Sequence, residues 1–225
     1  MSTKLEKVAA RAAHYAWLVY LPRHEVEDAL EYMDWVWYDL DDTQALLVRD
    51  DEFGAFLAFR GTQVSERFSW ADIWSNMRIG KVNWVMGGRV HAGYNEAIQD
   101  VSDAIWVDLQ DIEGPLWYCG HSLGGVLATL MTSYKLKTER PYPNATFTFG
   151  APRVGNAEFN KTIVSPLYRY VYSADIAPTF PPWWLDFRHC RPVTWLNRQR
   201  FRFNSLADHD VENYVVATRE IADRE

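Results

Sequence analysis

The stretch Trp117–Leu130, WYCGHSLGGVLATL, decides the fold because it joins a short apolar strand to a helix through a glycine-rich turn. Ser122 stands between Gly120 and Gly124 in the pattern G-x-S-x-G, and Gly125 follows directly. Glycine loses more conformational freedom on folding than any other residue, so this cluster needs a structural reason. A sharp strand-to-helix turn supplies one, because a Cβ would clash where its two arms cross. The stretch predicts a nucleophile elbow that presents the serine hydroxyl; a glycine turn without chemistry is the alternative.

Strands and helices alternate on both sides of this turn. Apolar periodicity and β-branched or aromatic content predict helices at residues 5–20, 26–35, 96–109, 123–136 and 211–224, and strands at 45–49, 54–60, 116–119, 145–149, 168–172 and 200–203. This alternation is typical of an α/β protein, so we predict a mostly parallel sheet with helices on both faces. No linker, repeat or low-complexity tract interrupts it, and we expect residues 1–225 to form a single domain.

Charge and hydropathy narrow the partners and the compartment. The formal net charge is −7 and the Lys and Arg residues are scattered, which argues against nucleic acid and against stable binding to an anionic membrane, while brief contact with a lipid surface stays open. No run of about 18 apolar residues predicts a membrane span. Residues 1–20 lack the apolar core and cleavage site of a signal peptide, so we predict a cytoplasmic protein, with secretion by another route or of a processed form as the alternative. The sequence indicates no oligomeric state.

A serine hydroxyl is a weak nucleophile until a base takes its proton, and an acid must orient that base. Asp175 follows a predicted strand in YSADIAP, at the sheet edge where α/β proteins carry their sites. Only His189 and His209 lie downstream; His209 is favoured because it sits where a loop meets the final helix. The side chain of His121, beside Ser122, should point away from the hydroxyl.

Two backbone amides are candidates for stabilising a developing oxyanion. Leu123 opens the helix after Ser122, so its N–H points toward a carbonyl oxygen bound there. Thr62 ends the segment FRGT after a predicted strand and offers both an N–H and a hydroxyl. An ordinary strand-ending turn is the alternative at Thr62.

The sequence resembles the class 3, fungal-type lipases of the α/β-hydrolase fold. The matching segments occur in the family's order and are FRGT at 59–62, VHAGY at 90–94, GHSLGG at 120–125, TFGAPRVGN at 148–156, DIAPTFPP at 175–182 and, more loosely, DHDVENY at 208–214. The combination of TFGAPRVGN with GHSLGG is far more specific than either segment alone.

The resemblance implies a role for each candidate residue. It implies Ser122 as nucleophile, Asp175 as orienting acid and His209 as base, with Thr62 and Leu123 forming the oxyanion hole. It also implies that His189, in FRHCRPVTWL, belongs to a structural strand. Two supporting residues follow from the same comparison: Asp72, which would hold the threonine hydroxyl or else face solvent, and His91, which would lie under the nucleophile.

The activity implied is hydrolysis of carboxylic esters of lipids, as in a triacylglycerol lipase, through an acyl-enzyme and without metal or cofactor. The alternatives are a carboxylesterase, phospholipase or acyltransferase with the same triad, a serine peptidase, and a non-catalytic lipase-like binding protein. The expected partner is a lipid or small-molecule ester, met in some cases at a lipid–water interface. Five tryptophans near the site are expected to line an acyl groove, cover it as a lid or touch lipid, with core packing as the alternative: Trp70, Trp74, Trp84, Trp183 and Trp184.

Overall fold

The computed structural model describes residues 2–40, 43–61, 80–134, 142–197 and 205–224. Its described helices are α1 (Lys4–Leu18), α2 (Arg23–Ala29), α3 (Ala92–Leu109), α4 (Leu123–Ser133), α5 (Ala157–Asn160) and α6 (Val211–Ala222). Its described strands are β1 (Asp34–Leu40), β2 (Thr43–Asp50), β3 (Gly54–Phe59), β4 (Lys81–Asn83), β5 (Arg89–His91), β6 (Leu116–His121), β7 (Ala145–Phe149), β8 (Leu167–Tyr172) and β9 (Val193–Leu196). Short 3-10 turns occupy Ala177–Thr179, Trp183–Leu185 and Ala207–His209.

Seven of these strands form one mixed sheet in the order β1-β2-β3-β6-β7-β8-β9. The first three pair antiparallel, and every pairing from β3 to β9 is parallel. In the register at the centre, Gly120 of β6 lies opposite Phe59 of β3 and Thr148 of β7. Because the parallel strands end at a common edge, the loops that follow them meet there.

Helices cover both faces of the sheet, each over its own apolar cluster. On one face α3 and α4 pack over a cluster that includes Leu57, Tyr118 and Phe159. On the other face α1 packs against α6 and against the strands, over a cluster that includes Phe56 and Phe147. The prediction of an α/β sheet with helices on both faces is confirmed.

One local prediction differs from the structure, and another lies outside the described residues. The helix predicted at 26–35 ends at Ala29, and β1 begins at Asp34, since aromatic and β-branched residues in DWVWYDL favour a pleated strand. The sequence segment that was compared with a structural strand of the family contains β9, whereas the strand predicted at 200–203 lies outside the described residues. Among the described helices, none has the length and apolar character needed to cross a bilayer.

A buried carboxylate joins α1 to the turn between β2 and β3. Asp50 Oδ2 accepts the Tyr15 hydroxyl at 2.7 Å and pairs with the Arg11 guanidinium at 2.9 Å. Asp50 Oδ1 accepts the backbone N–H groups of Glu52 and Phe53 at 3.0 and 2.9 Å. Four donors on one carboxylate compensate for its removal from water, so the clip holds α1 on the sheet.

Asp50→Asn is expected to lower the free energy of unfolding by about 2–4 kcal/mol, because the amide keeps the shape but loses charge and acceptors. Tyr15→Phe removes one donor and is expected to cost about 1 kcal/mol. Chemical denaturation followed by tryptophan fluorescence measures both. Asp28→Asn, on the exposed surface of α2, is the matched control; equal stabilities for Asp50→Asn and this control would show that the clip contributes nothing.

Candidate active site

The turn after β6 has the strained backbone that the glycine pattern predicts. Ser122 has φ 57° and ψ −125°, a conformation that residues with side chains rarely adopt. A Cβ on Gly120 would collide with the backbone of Gly124, and a Cβ on Gly124 would collide with the carbonyl oxygen of Phe59. The glycines therefore let β6, α4 and the end of β3 approach closely around one serine.

The backbone of Ser122 is fixed, and its hydroxyl is buried. Its N–H donates to the Phe149 carbonyl at 2.9 Å, which ties the turn to the end of β7. The hydroxyl is fully buried and forms no hydrogen bond with any residue that the structure describes. Leu123 is the first residue of α4, where backbone N–H groups have no acceptor within the helix and form an anion-binding end.

Four residues follow the carboxyl ends of neighbouring parallel strands and so meet at one edge of the sheet. Gly61 comes after β3, Ser122 after β6, Gly150 after β7 and Asp175 after β8. These strands are adjacent in the sheet, which brings together positions more than 100 residues apart in the chain.

A buried acid–base pair lies at this edge. His209 Nδ1 is 2.8 Å from Asp175 Oδ2, and the two side chains are only 1% and 0% exposed. His209 ends the 3-10 turn before α6, as the sequence placed it. The loop that carries it is held to the loop of Asp175 by hydrogen bonds from Ser205 N–H to the Ala174 carbonyl and from Ala174 N–H to Asp208.

Tyr214 is a second side-chain partner of the Asp175 carboxylate that the sequence analysis did not single out. Its hydroxyl donates to Asp175 Oδ2 at 2.5 Å and accepts the N–H of Tyr172 at 3.1 Å. Asp175 Oδ1 accepts the N–H of Ala177 at 2.8 Å. Both carboxylate oxygens are thereby satisfied without a guanidinium or ammonium group among the described residues, and the orientation toward His209 is fixed.

Gly150 provides the space for this pair. It has φ 61°, and a Cβ there would lie 2.5 Å from Asp175 Oδ2 and 3.0 Å from His209 Nδ1. Gly150 also follows Phe149, the residue that accepts the Ser122 N–H. In the sequence, Gly150 is the first glycine of TFGAPRVGN. This segment was recognised as a family motif, but the motif did not indicate what the glycine does.

His121 and Tyr20 form the wall behind His209. The rings of His121 and His209 are 4.5 Å apart, and the Tyr20 hydroxyl lies 3.1 Å from His121 Nδ1. Burial, and secondarily the nearby His209, holds the pKa of His121 well below its ordinary value. A neutral imidazole at this position places no positive charge beside His209. A Cβ on Gly61 would meet the Tyr20 hydroxyl, so the turn after α1 and the loop after β3 share this wall.

The structure distinguishes the two downstream histidines. His209 contacts Asp175, whereas His189 places its Nε2 2.8 Å from the carbonyl oxygen of Pro178. Burial lowers the pKa of His189 to about 3, and the charge of Arg169 acts in the same direction. His189 therefore stays neutral and braces the loop that follows Asp175.

Other predicted site residues fall in different places. Thr62 and Asp72 lie outside the described residues, as do Trp70 and Trp74. His91 is buried, with its ring 4.3 Å from that of Tyr94 and 6.2 Å from that of Phe187, and neither ring nitrogen bonds to a described residue. Its predicted support of Ser122 stays a prediction.

The tryptophans divide between core and surface. Trp84 is 3% exposed and packs edge-on against Tyr134 and Phe159, so the core-packing alternative holds for it. Trp183 and Trp184 are 60% and 68% exposed. Among the described residues, no group of three His, Cys, Asp or Glu side chains is arranged to hold a metal ion.

Sequence comparison places these features in a known family. The model of the class 3 lipases matches residues 56–184, more than half of the chain. A secreted mono- and diacylglycerol lipase from Fusarium solani is 34% identical over 121 residues, which are 50% of this chain and 36% of the relative. A lipase from Rhizopus niveus is 32% identical over 200 residues, 82% of this chain and 50% of the relative. The chain therefore spans half or less of the length of these curated relatives.

Comparison with solved structures supports the fold. The structure of the Rhizomucor miehei lipase–propeptide complex aligns with a TM-score of 0.69 at 20% identity, covering 97% of this chain and 80% of that one. At this identity the likeness establishes the architecture alone.

The predicted cytoplasmic location is wrong. The Fusarium solani relative is a secreted enzyme, which points away from the cytoplasm. The prediction rested on residues 1–20, and the structure places most of these in α1, which packs on the sheet as part of the fold. A segment that builds the core carries no information about targeting.

Burial of His91 predicts a pH-dependent stability. Burial lowers its pKa from the ordinary 6.5 to about 4. The unfolded chain therefore takes up a proton near pH 6.5 while the folded imidazole stays neutral, so the free energy of unfolding falls as the pH drops from about 6.5 toward 4. His189 contributes with the same sign.

His91→Gln is expected to reduce the loss of stability between pH 7 and pH 5 by about 1–2 kcal/mol, measured by denaturant unfolding at the two pH values. His24→Gln, at an exposed position on α2, is the control and should leave the loss unchanged. An unchanged pH dependence in His91→Gln would show that the lowered pKa of His91 does not contribute to the loss of stability.

Proposed function

This chain belongs to the class 3 lipase family, and from that premise we propose that it hydrolyses carboxylic esters of lipids with Ser122 as nucleophile, His209 as base and Asp175 as orienting acid. The observation that carries the proposal is the buried hydrogen bond from His209 Nδ1 to Asp175, next to the strained turn of Ser122. A serine held in left-handed backbone beside a buried acid–base pair is the arrangement that acyl transfer requires.

In the first step, the substrate ester carbonyl is attacked by Ser122 Oγ while His209 Nε2 takes the hydroxyl proton. Nε2 is the reacting nitrogen because Nδ1 is engaged by Asp175. The Ser122 hydroxyl has no other described partner that would compete for its proton. Substrate binding is expected to bring the hydroxyl and Nε2 into hydrogen-bond range, since catalytic hydrogen bonds tighten in the substrate complex.

Asp175 stabilises the imidazolium that forms on His209 and keeps it oriented. Tyr214 and the Ala177 N–H hold the carboxylate in place, so it needs no reorganisation during the reaction. Neutral His121 adds no repulsion to the new positive charge.

The tetrahedral intermediate carries a negative oxygen that needs hydrogen-bond donors. The N–H of Leu123, at the start of α4, is one proposed donor, and the backbone N–H and hydroxyl of Thr62 are proposed as the other. Collapse of the intermediate breaks the ester C–O bond, and His209 passes its proton to the departing alcohol.

In the second step, water attacks the acyl carbon while His209 takes one of its protons, and His209 then returns that proton to Ser122 Oγ as the carboxylic acid leaves. Every bond made or broken is accounted for by the ester, water and these side chains. A lipid ester, and not a small soluble ester, is the proposed substrate class because the matching family model and the Rhizopus niveus relative are those of lipases.

Ser122→Ala is expected to lower kcat/KM for p-nitrophenyl esters on the order of 10³- to 10⁶-fold, leaving the residual rate that backbone donors sustain. A series of increasing acyl length measures substrate class: a rate that rises with chain length supports a lipase, and a rate highest for acetate supports a carboxylesterase. Ser102→Ala, a buried serine on α3, is the matched control and should retain activity.

A peptide substrate and an active-site phosphonate complete the experiment. Cleavage of the peptide in preference to esters would establish a peptidase instead. Absence of both ester hydrolysis and phosphonate labelling at Ser122 would overturn the proposal in favour of a non-catalytic binding protein.

Tyr214→Phe is expected to lower kcat by about tenfold with little change in KM, because one charge-assisted hydrogen bond to Asp175 is lost while the substrate pocket is untouched. Steady-state kinetics with a p-nitrophenyl ester measure kcat and KM of this variant. Tyr168→Phe, whose ring packs on Phe147 on the neighbouring strand, is the control. Equal kcat values for the two variants would show that Tyr214 does not position the acid.

A further inference from the structure

Three consecutive apolar side chains stand in solvent on one short turn. Trp183, Trp184 and Leu185 are 60%, 68% and 39% exposed. The two indole rings lie 6.1 Å apart at an interplanar angle of 84°. An exposed cluster that contains two of the largest apolar side chains is costly in water and marks an interaction surface.

The backbone of this tryptophan turn is fixed, although its side chains are exposed. The Asp186 N–H donates to the Trp183 carbonyl at 3.0 Å, and the Arg188 guanidinium donates to the same carbonyl. The Lys81 ammonium donates to the Leu185 carbonyl at 2.9 Å. The fold therefore holds the indoles outward on a rigid support. Binding of a partner over them would cost little conformational entropy, because the backbone of the turn is already ordered.

The same turn is surrounded by positive charge. Four cationic side chains hydrogen-bond to residues 179–188: Lys81, Arg89, Arg153 and Arg188. Within this segment Asp186 is the single carboxylate, and it contacts Lys81 at 2.9 Å and Arg89 at 3.4 Å. Among these described groups cations exceed anions by three, so the rim of the turn is basic.

The local charge differs in sign from the net charge of −7. Salt screens charges beyond about 8–10 Å, so groups at the point of contact outweigh the distant acidic residues. The net charge of −7 therefore weakens long-range attraction to an anionic membrane but does not determine contact at this turn.

We propose that the turn Trp183–Leu185 inserts into the head-group layer of an anionic phospholipid membrane. The indoles would lie among the glycerol groups and the first methylene groups of the acyl chains, a position that suits an apolar ring with one polar N–H. The basic rim would then reach the phosphates, where each cation contributes to binding. Charge complementarity selects this occupant over a second copy of the chain, whose identical turn is also basic and would repel it. The inference uses no hydrolytic step and stands apart from the proposed function.

Vesicle co-sedimentation tests the proposal directly. The protein carries Ser122→Ala so that lipid cleavage does not change the vesicles. Its partition coefficient is measured on phosphatidylcholine alone and on a phosphatidylcholine–phosphatidylglycerol mixture, at low and raised salt. We expect binding at least about tenfold stronger to the anionic mixture, and weaker binding as the salt is raised.

Two matched pairs of variants separate the contributions of apolar contact and charge. The double variant Trp183→Ser with Trp184→Ser is expected to lose at least about tenfold in partition, whereas Tyr32→Ser, at a residue 89% exposed beside Glu31, should lose nothing. Arg89→Gln is expected to lose about fivefold on the anionic mixture, and Arg23→Gln on exposed α2 none.

A second measurement guards against a folding defect in the variants. Brominated lipids are expected to quench tryptophan fluorescence of the parent protein, and the double variant should lose most of that quenching at an unchanged melting temperature. Equal partition to both vesicle types, or full binding by the double variant, would overturn the proposal. So would a dimer in sedimentation velocity that the double variant converts to monomer, because the turn would then contact a second copy.

Discussion

The left-handed backbone of Ser122 is the constraint on which the rest of the site depends. With φ at 57° the chain reverses within one residue, so β6 and α4 leave the turn almost in contact. That contact is possible only because Gly120 and Gly124 lack side chains, and the second of these also admits the end of β3. The packing of β6, α4 and the end of β3 offsets this strain, and the backbone of Ser122 cannot relax without separating these elements.

The second requirement is a carboxylate that stays oriented without water. Asp175 is buried, and its oxygens are occupied by His209, Tyr214 and the Ala177 N–H. The donors from Tyr214 and Ala177 are neutral. The negative charge of Asp175 is therefore left to stabilise a protonated His209. Gly150 leaves the space in which this network fits. The turn and the network are joined because Phe149, beside that glycine, accepts the Ser122 N–H.

The sequence was most informative where local chemistry and position along a strand coincide. The turn of Ser122 was predicted from the spacing of the glycines. Asp175 was predicted to follow a strand and His209 to precede the final helix, because the ends of such elements leave local patterns in the sequence. Tyr214 was not, since its role arises when α6 packs on β8, a contact between distant segments. The helix predicted at 26–35 failed for a related reason: pairing with β2 outweighed its local helical pattern. The basic rim around the tryptophans was hidden because a net charge averages over the whole surface.

The packing of α1 against α6 has a consequence for the order in which the site is assembled during synthesis. Tyr20 is translated well before His209 and Tyr214, and the N–H of residue 2 bonds to the carbonyl of residue 224. Until the segment that carries His209 has been made, Asp175 lacks its imidazole partner. The buried pair of Asp175 and His209 is therefore expected to form late in synthesis, together with the docking of α6 on α1.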